Sequence, residues 1–194
     1  MKKFLLCWVL IPMSFTAHGL SLSLGGAGYS VGADAGPMIE IGQDFSINKL
    51  GSFELAWSRY TLISDFSIQA DSKDNYFISD GYVDSAELQD IHVLSISKKS
   101  KFNVGKLKFS VSYGPAIAHN TSHSQSGSLY LAEIDEYIAV PTFVEKSFDY
   151  GIHSNFEIML WTAEQGSLSW QLPWVREMMV NEEFIFSTGL KYSR

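Results

Sequence analysis

Apolar and polar residues alternate along much of this chain. From position 148 to 160 the even positions carry Phe, Tyr, Ile, Ser, Phe, Ile and Leu, whereas the odd positions carry Asp, Gly, His, Asn, Glu and Met. A period of two sustained over this length predicts a β-strand with one apolar face and one polar face. The same alternation occurs at 107–113, 39–47 and 168–174. The pattern therefore predicts an all-β protein.

Weaker stretches of the same alternation bring the prediction to eight strands, at about 20–32, 37–47, 52–68, 84–98, 105–118, 146–161, 167–175 and 183–192. In the third strand the apolar residues change from odd positions, at 53–57, to even positions, at 60–66. One extra residue would restore the phase, so a β-bulge is predicted near Ser58–Arg59. In the fourth strand, residues 84–90 also fit a helical turn.

The connections between these strands differ in length in a regular way. The second, fourth and sixth, at about 48–51, 99–104 and 162–166, are short, while the third and fifth, at about 69–83 and 119–145, are long. Successive strands of an up-and-down barrel run in opposite directions, so the odd-numbered connections all emerge at one end. Short turns at one end and long loops at the other are typical of outer-membrane barrels. The sequence predicts an eight-stranded antiparallel up-and-down transmembrane β-barrel.

With this strand number and loop order, residues 20–194 resemble the small eight-stranded outer-membrane barrels, such as the OmpA barrel domain and OmpX-like proteins. The resemblance implies a Gram-negative cell envelope and a monomer surrounded by outer-membrane lipid and lipopolysaccharide. It also implies the barrel-assembly machinery as a partner during insertion. Such families usually end in an aromatic residue, whereas here Ser193 and Arg194 follow Tyr192.

The first nineteen residues have the features of a cleavable signal peptide. Two lysines precede an apolar stretch at 4–15, which is too short to span a bilayer as a helix. Ala17 and Gly19 supply small residues at the −3 and −1 positions. We therefore predict cleavage before Leu20 and export across the inner membrane.

Removal of this segment changes the composition of the mature chain. Lysine plus arginine falls from 14 to 12 as the two lysines leave, while 21 acidic residues remain, so the net charge becomes 12 − 21 = −9. The single cysteine, Cys7, is also lost, which excludes disulfides and thiolate chemistry. The acidic balance argues against a nucleic-acid-binding protein, because such proteins present basic surfaces.

The polar faces of the strands carry charges of both signs, which suits the narrow interior of an eight-stranded barrel. We predict that the lumen holds a structural polar network of Glu40, Asp44, Glu54, Arg59, Lys106, Lys108, Asp149, His153, Asn155, Glu157 and Lys191. Neither a cofactor nor a metal site is predicted. The pattern does not fix which face points outward, so a soluble β-sandwich or a periplasmic binding barrel with an inward apolar face stays open.

Two histidine segments raise the question of chemistry. His153-Ser154-Asn155 resembles the His-x-Ser-Asn stretch of PagL-type lipid A deacylases, which are also eight-stranded barrels. The His and Ser of that family share one strand face, whereas His153 and Ser154 are adjacent and face opposite ways, so a Ser–His dyad is not expected. His119 and His123 have metal-ligand spacing for a helix, but they lie in a predicted loop without a third ligand. The sequence predicts no catalytic residues.

Both long loops are acidic. Residues 65–84 carry five aspartates against Lys73 alone, and residues 133–145 carry four acidic residues and no basic one. Such loops can make surface contacts or bind divalent cations shared with lipopolysaccharide. We predict a non-enzymatic outer-membrane barrel with a surface-contact or envelope-stabilising role. A lipid A deacylase, a narrow pore and a soluble periplasmic binding protein are the alternatives.

Overall fold

The computed structural model describes residues 15–29, 34–69, 82–126, 128–131, 136–139, 143–180 and 184–194. They form β1 (Phe15–Tyr29), β2 (Ala35–Ile47), β3 (Gly51–Gln69), β4 (Tyr82–Val104), β5 (Leu107–Ser126), β6 (Ser128–Leu131), β7 (Glu136–Ala139), β8 (Phe143–Ala163), β9 (Gly166–Met179) and β10 (Phe184–Ser193). Within these ranges no helix is long and apolar enough to cross a membrane.

Eight of the ten strands close into a single antiparallel barrel in the order β1-β10-β9-β8-β5-β4-β3-β2. Strands β6 and β7 form a separate hairpin within the connection between β5 and β8. Tight turns join β2 to β3, β4 to β5 and β8 to β9, and Gly105 takes a φ of 61° in the second of these. We call this end of the barrel the short-turn end and the opposite end the long-loop end. The predicted eight-stranded up-and-down barrel is confirmed.

The barrel wall is taller on one side than on the other. Strands β3, β4, β5 and β8 contain 19, 23, 20 and 21 residues, whereas β1, β2, β9 and β10 contain 15, 13, 14 and 10. β3 continues beyond Ile63, the last partner of β2, and β8 begins before Gly151, the first partner of β9. Because the four long strands are neighbours, their ends form a sheet that projects at the long-loop end. Residues 119–126, predicted as loop, belong to this projecting sheet.

The predicted bulge near Ser58–Arg59 is wrong. β3 pairs in continuous register through this region, with Ser58 opposite Glu40 and Tyr60 opposite Met38. Positions 58, 60 and 62 therefore share the inward side, where Tyr60 and Leu62 are completely buried. The change of apolar phase marks a change in the interior of the barrel and not a kink in the strand. The alternative helical turn at 84–90 is also wrong, since these residues belong to β4.

The interior consists of two layers. Charged and hydroxyl side chains fill the layer toward the short-turn end, as Glu54 does close to the start of β3. Farther along the same strand the interior becomes apolar, in a cluster formed by Ala27, Met38, Tyr60, Leu62, Ile91, Val93, Ala116, Ala118, Met179 and Ile185. We call this cluster the apolar plug. The side chains themselves fill the space, as expected for so narrow a barrel.

The exterior of the barrel is apolar. Large hydrophobic side chains stand exposed on every strand of the wall, among them Leu24 at 56%, Ile96 at 50% and Leu190 at 51%. Lys191, the neighbour of Leu190, is by contrast 0% exposed. This distribution is the reverse of that in a soluble protein, where lysine is almost never fully buried.

Strands β1 and β10 close the barrel through a closing seam that runs from the pair Ser21–Ser193 to the pair Tyr29–Ile185. Gly25 stands opposite Gly189 in this seam, and a Cβ atom on Gly25 would lie 1.9 Å from the carbonyl oxygen of Thr188. A side chain at this position therefore forces the two strands apart. Signal cleavage before Leu20 stays a prediction; it would leave the paired residues of the closing seam in place.

We expect Gly25→Ala to lower the free energy of unfolding by about 1–3 kcal/mol, the usual cost of forcing extra volume into a packed site. The measurement is urea unfolding in detergent micelles, followed by tryptophan fluorescence. Gly26→Ala is the matched control, since its added Cβ would meet nothing closer than 3.8 Å. The control should change stability by less than about 0.5 kcal/mol. Equal effects of the two substitutions would contradict the close approach at the closing seam.

Candidate functional site

An irregularity in β9 directs two consecutive charged residues into the barrel. Residues 154–156 of β8 stand opposite residues 172–176 of β9, because the pairing passes from His153–Glu177 directly to Glu157–Gln171. Pro173 lies in this stretch and cannot donate a hydrogen bond to a neighbouring strand. The extra residues reset the side-chain phase, so Arg176 and Glu177 are both buried.

Lys191 of β10 occupies the centre of the polar layer and contacts carboxylates from three other strands. Its Nζ lies 3.1 Å from Oε1 of Glu157 and 3.8 Å from Oε1 of Glu40, and it also donates to Glu54. Arg176 donates to the other oxygen of Glu40 and, at 3.3 Å, to the amide oxygen of Asn155. The result is a continuous network of ion pairs across the barrel.

A second lysine extends the network toward the short-turn end. Nζ of Lys99 lies 3.0 Å from Oδ2 of Asp44 and 3.7 Å from Oε2 of Glu54. Glu54 is thereby placed between Lys99 and Lys191. Each buried carboxylate in this part of the lumen therefore has a cationic partner, which offsets the cost of taking charge out of water.

Toward the apolar plug the network ends in a three-residue group. Oε1 of Glu177 accepts a hydrogen bond from the hydroxyl of Tyr60 at 2.8 Å and lies 2.8 Å from Nδ1 of His153. All three side chains are at most 2% exposed. Tyr60 thus joins the two layers of the interior, with its ring among the apolar side chains and its hydroxyl on a carboxylate.

Most of the predicted lumen residues are brought together. Glu40, Glu54, His153, Asn155, Glu157 and Lys191 are buried in the polar layer, and Asp44 lines its mouth at the short-turn end. Asp149 faces the interior farther toward the long-loop end, where its Oδ1 accepts the N–H of Tyr150 at 2.7 Å.

Three predicted members lie elsewhere. Arg59 sits on the outward side of β3, because the bulge that would have turned it inward does not exist, and it pairs with Asp90 at 2.8 Å. Lys106 and Lys108 are exposed at the turn between β4 and β5, beyond the end of the lumen. The polar alternation that suggested them continues past the rim of the barrel into the turn.

Among the described residues, the larger members of the network that were missed in the sequence are Tyr60, Lys99, Gln171, Arg176 and Glu177. Tyr60 was not predicted as a lumen residue because apolar residues were assumed to face outward at every position. Lys99 was assigned to a turn, whereas β4 continues to Val104. Arg176 and Glu177 were missed because the predicted strand ends at residue 175, whereas β9 continues to Met179. Pro173 within an alternating run is the signal that could have indicated a bulge here.

The arrangement suits a structural role better than catalysis. His153 is buried in the lumen, whereas Ser154 on the same strand donates from Oγ to the carbonyl of Val175 at 2.5 Å. The two side chains therefore point in opposite directions and cannot form a Ser–His dyad. His119 lies on a strand and packs at a tilt against Phe148, with ring centroids 4.6 Å apart. Among the described residues no group of three His, Cys, Asp or Glu side chains is placed to hold a metal ion.

A closed barrel of eight antiparallel strands, with charges inside and apolar side chains outside, has the fold of the small eight-stranded outer-membrane barrels. Among solved structures, the chain is similar to Ail, the attachment invasion locus protein of Yersinia pestis, determined in complex with the heparin analogue sucrose octasulfate. The two are 11% identical over 91% of this chain and 99% of that chain, with a TM-score of 0.37. No family model and no curated protein matches the sequence.

We expect Lys191→Met to lower the free energy of unfolding by about 3–5 kcal/mol, because it leaves Glu157 without a cation and removes one of the two cations beside Glu40 and beside Glu54. Urea unfolding in micelles measures the change. Lys108→Met removes the same charge from an exposed position and should change stability by no more than about 0.5 kcal/mol. Adding Glu54→Gln to Lys191→Met should restore part of the loss. Similar stabilities of the two single variants would contradict the central role of Lys191.

Proposed function

We propose that this protein is a non-enzymatic β-barrel of the bacterial outer membrane, whose long-loop end faces outward for surface contact or envelope stabilisation. It acts as a monomer surrounded by outer-membrane lipid and lipopolysaccharide, and the barrel-assembly machinery inserts it. No cofactor takes part. The short-turn end faces the periplasm in this proposal.

The reversed distribution of polar and apolar side chains carries the proposal. Four glutamates, two lysines and an arginine are buried inside the barrel, namely Glu40, Glu54, Glu157, Glu177, Lys99, Lys191 and Arg176. Leucine, isoleucine, phenylalanine and tryptophan cover the outside. Monomeric soluble proteins rarely expose a continuous apolar surface of more than a few hundred Å². A lipid environment removes this cost, and a closed barrel satisfies its backbone hydrogen bonds internally.

The filled interior disfavours the narrow pore and the periplasmic binding protein. Arg176, Tyr60 and Lys191 are among the largest completely buried side chains, and they lie across the middle of the barrel. A pore requires a continuous aqueous path, and a binding barrel requires an internal cavity. A cavity of about 330 Å³ lies at the short-turn mouth and is lined by polar residues such as Lys101 and Ser167.

The projecting sheet supports a role at the cell surface. A strand needs about 9–11 residues to cross the hydrocarbon layer, and β4 contains 23. Part of the excess lies at the long-loop end, where β3 and β4 stay paired as far as Gln69–Tyr82, beyond the last partner of β2, and it raises the loops above the membrane in this proposal. The acidic residues Asp71, Asp74 and Asp80 of the first loop and Glu133 and Asp135 of the second lie outside the described residues. For these loops the proposal uses only their negative charge in the sequence.

Single cysteines test which face meets lipid, because the mature chain contains none. Cysteines at Ile152 and Leu190 should react with a lipid-soluble maleimide in purified outer membranes, because both residues are about half exposed on the outside of the wall. Cysteines at the buried positions Ser112 and Ser187 should react far more slowly. Mass spectrometry of the labelled protein gives the extents.

Two results would contradict the membrane location. The first is recovery of the mature protein as a soluble periplasmic species on fractionation. The second is fast reaction of the outward positions with a water-soluble maleimide and no protection by lipid. Loss of heat-dependent gel migration in the cysteine variants would identify those that fail to fold, and these are set aside before comparison.

Labelling of intact cells tests the surface role. A membrane-impermeant maleimide should modify cysteine at Val144, in the projecting sheet, and should not modify cysteine at Gln165, in a short turn, until the outer membrane is opened. Modification of the cysteine at position 165 in intact cells, without modification of the cysteine at position 144, would contradict the proposed orientation.

The loop charges separate the two surface roles. Replacing the five acidic loop residues by their amides should increase uptake of a hydrophobic fluorescent dye if divalent cations link the loops to lipopolysaccharide. Adhesion of cells to a test surface should change without increased dye uptake if the loops serve contact. A change in lipid A acylation between cells with and without the protein would instead support the deacylase and overturn the non-enzymatic proposal.

A further inference from the structure

A cluster of polar side chains interrupts the apolar outer wall near the base of the projecting sheet. Arg59 of β3, His92 of β4 and His119 of β5 stand side by side as outward-facing partners in the sheet. Below them, toward the short-turn end, the outward residues are apolar, as at Leu94 and Ile117. Charged residues cost about 2–4 kcal/mol at the midplane of a barrel's lipid face but about 0–1 near its edges. The cluster therefore belongs at the outer edge of the apolar band.

A groove of about 190 Å³ lies on the outer wall at the same place. Its floor is apolar, and its lining combines Val93, Leu94, Ile117 and Ala118 with the aromatic side chains of Trp57 and Phe148. The imidazoles of His92 and His119 complete the lining, and each of them packs against an aromatic ring. His92 lies 5.6 Å from the Trp57 ring centroid, and His119 lies 4.6 Å from that of Phe148. The groove thus has apolar walls together with nitrogen-bearing groups.

The polar cluster has more donors than its own carboxylate uses. Nε and Nη2 of Arg59 donate to Asp90 at 2.8 and 2.9 Å, which uses two of the five N–H donors of a guanidinium. The Arg59 side chain remains 46% exposed. Nε2 of His92 lies 3.4 Å from the same carboxylate. Three N–H donors of Arg59 therefore remain beside the two imidazoles, and an external acceptor such as a phosphate oxygen can take them.

We infer that this groove binds a phosphate-bearing lipid of the outer leaflet, with an acyl chain on its apolar floor and the phosphate at Arg59, His92 and His119. The inference rests on the proposed membrane location. A lipid is the occupant that combines both halves of the site, since it brings an anionic group and a hydrocarbon chain joined together. Guanidinium groups match phosphate geometry well because their donors form a planar fork.

The test places the protein in phosphatidylcholine vesicles that contain a minor fraction of brominated phosphatidic acid or of brominated phosphatidylcholine. Trp57 lines the groove, so the other three tryptophans of residues 20–194, at positions 161, 170 and 174, are replaced by phenylalanine and quenching of Trp57 is measured. The phosphatidic acid should quench as if its local concentration were about fivefold higher, which is the effect of one cationic side chain at an anionic lipid. A protein with Trp170 alone, on β9, should show equal quenching by the two lipids.

Two variants assign the preference to the cluster. Exchange of Arg59, His92 and His119 for glutamine should make brominated phosphatidic acid and brominated phosphatidylcholine quench Trp57 equally. Asp90→Asn should instead raise the ratio of quenching by phosphatidic acid to quenching by phosphatidylcholine above its value in the unchanged cluster. Equal quenching of Trp57 by both lipids, with strong quenching overall, would overturn the groove and leave the membrane barrel intact. Absence of quenching by either lipid at both Trp57 and Trp170 would overturn the membrane location itself.

Discussion

The contact of the Lys191 ammonium with three buried glutamates is the interaction on which the barrel interior depends. Lys191 comes from β10, and Glu54, Glu40 and Glu157 come from β3, β2 and β8. A buried pair of this kind adds little net stability over an apolar core, but removal of one partner is costly. Sliding any of these strands by one residue would turn its charge toward lipid and a leucine or isoleucine toward the lumen.

The number of strands and their order follow from sequence because both depend on local patterns. Alternation with a period of two identifies each strand, and the position of the long connections identifies the end from which they emerge. The same patterns place Glu40 and Glu157 correctly on the inward face. They fail where the inward face changes character along a strand, as between Ser58 and Tyr60, because an apolar residue was assumed to face outward wherever it occurs.

The remaining errors come from features that depend on neighbouring strands. Arg176 and Glu177 both face inward because β9 carries more residues than β8 over the same stretch, which no single strand reveals. The outward position of Arg59 follows from the unbroken register of β3 with β2 and β4. The direction of the apolar face is also a property of the closed barrel, since the same alternation fits a soluble sandwich. Burial in three dimensions decides it.

The order of the two interior layers has a consequence for assembly. In an outer-membrane protein that arrives from the periplasm, the long-loop end has to travel across the bilayer, while the short-turn end stays near the side of entry. The apolar plug lies toward the travelling end, and Lys99, Glu54 and Lys191 lie toward the stationary one. In the proposed orientation, the ionic network around Lys191 would therefore move the shortest distance through hydrocarbon. If the protein inserts in that orientation, separation of the layers along the axis would lower the barrier to insertion without changing the composition of the finished interior.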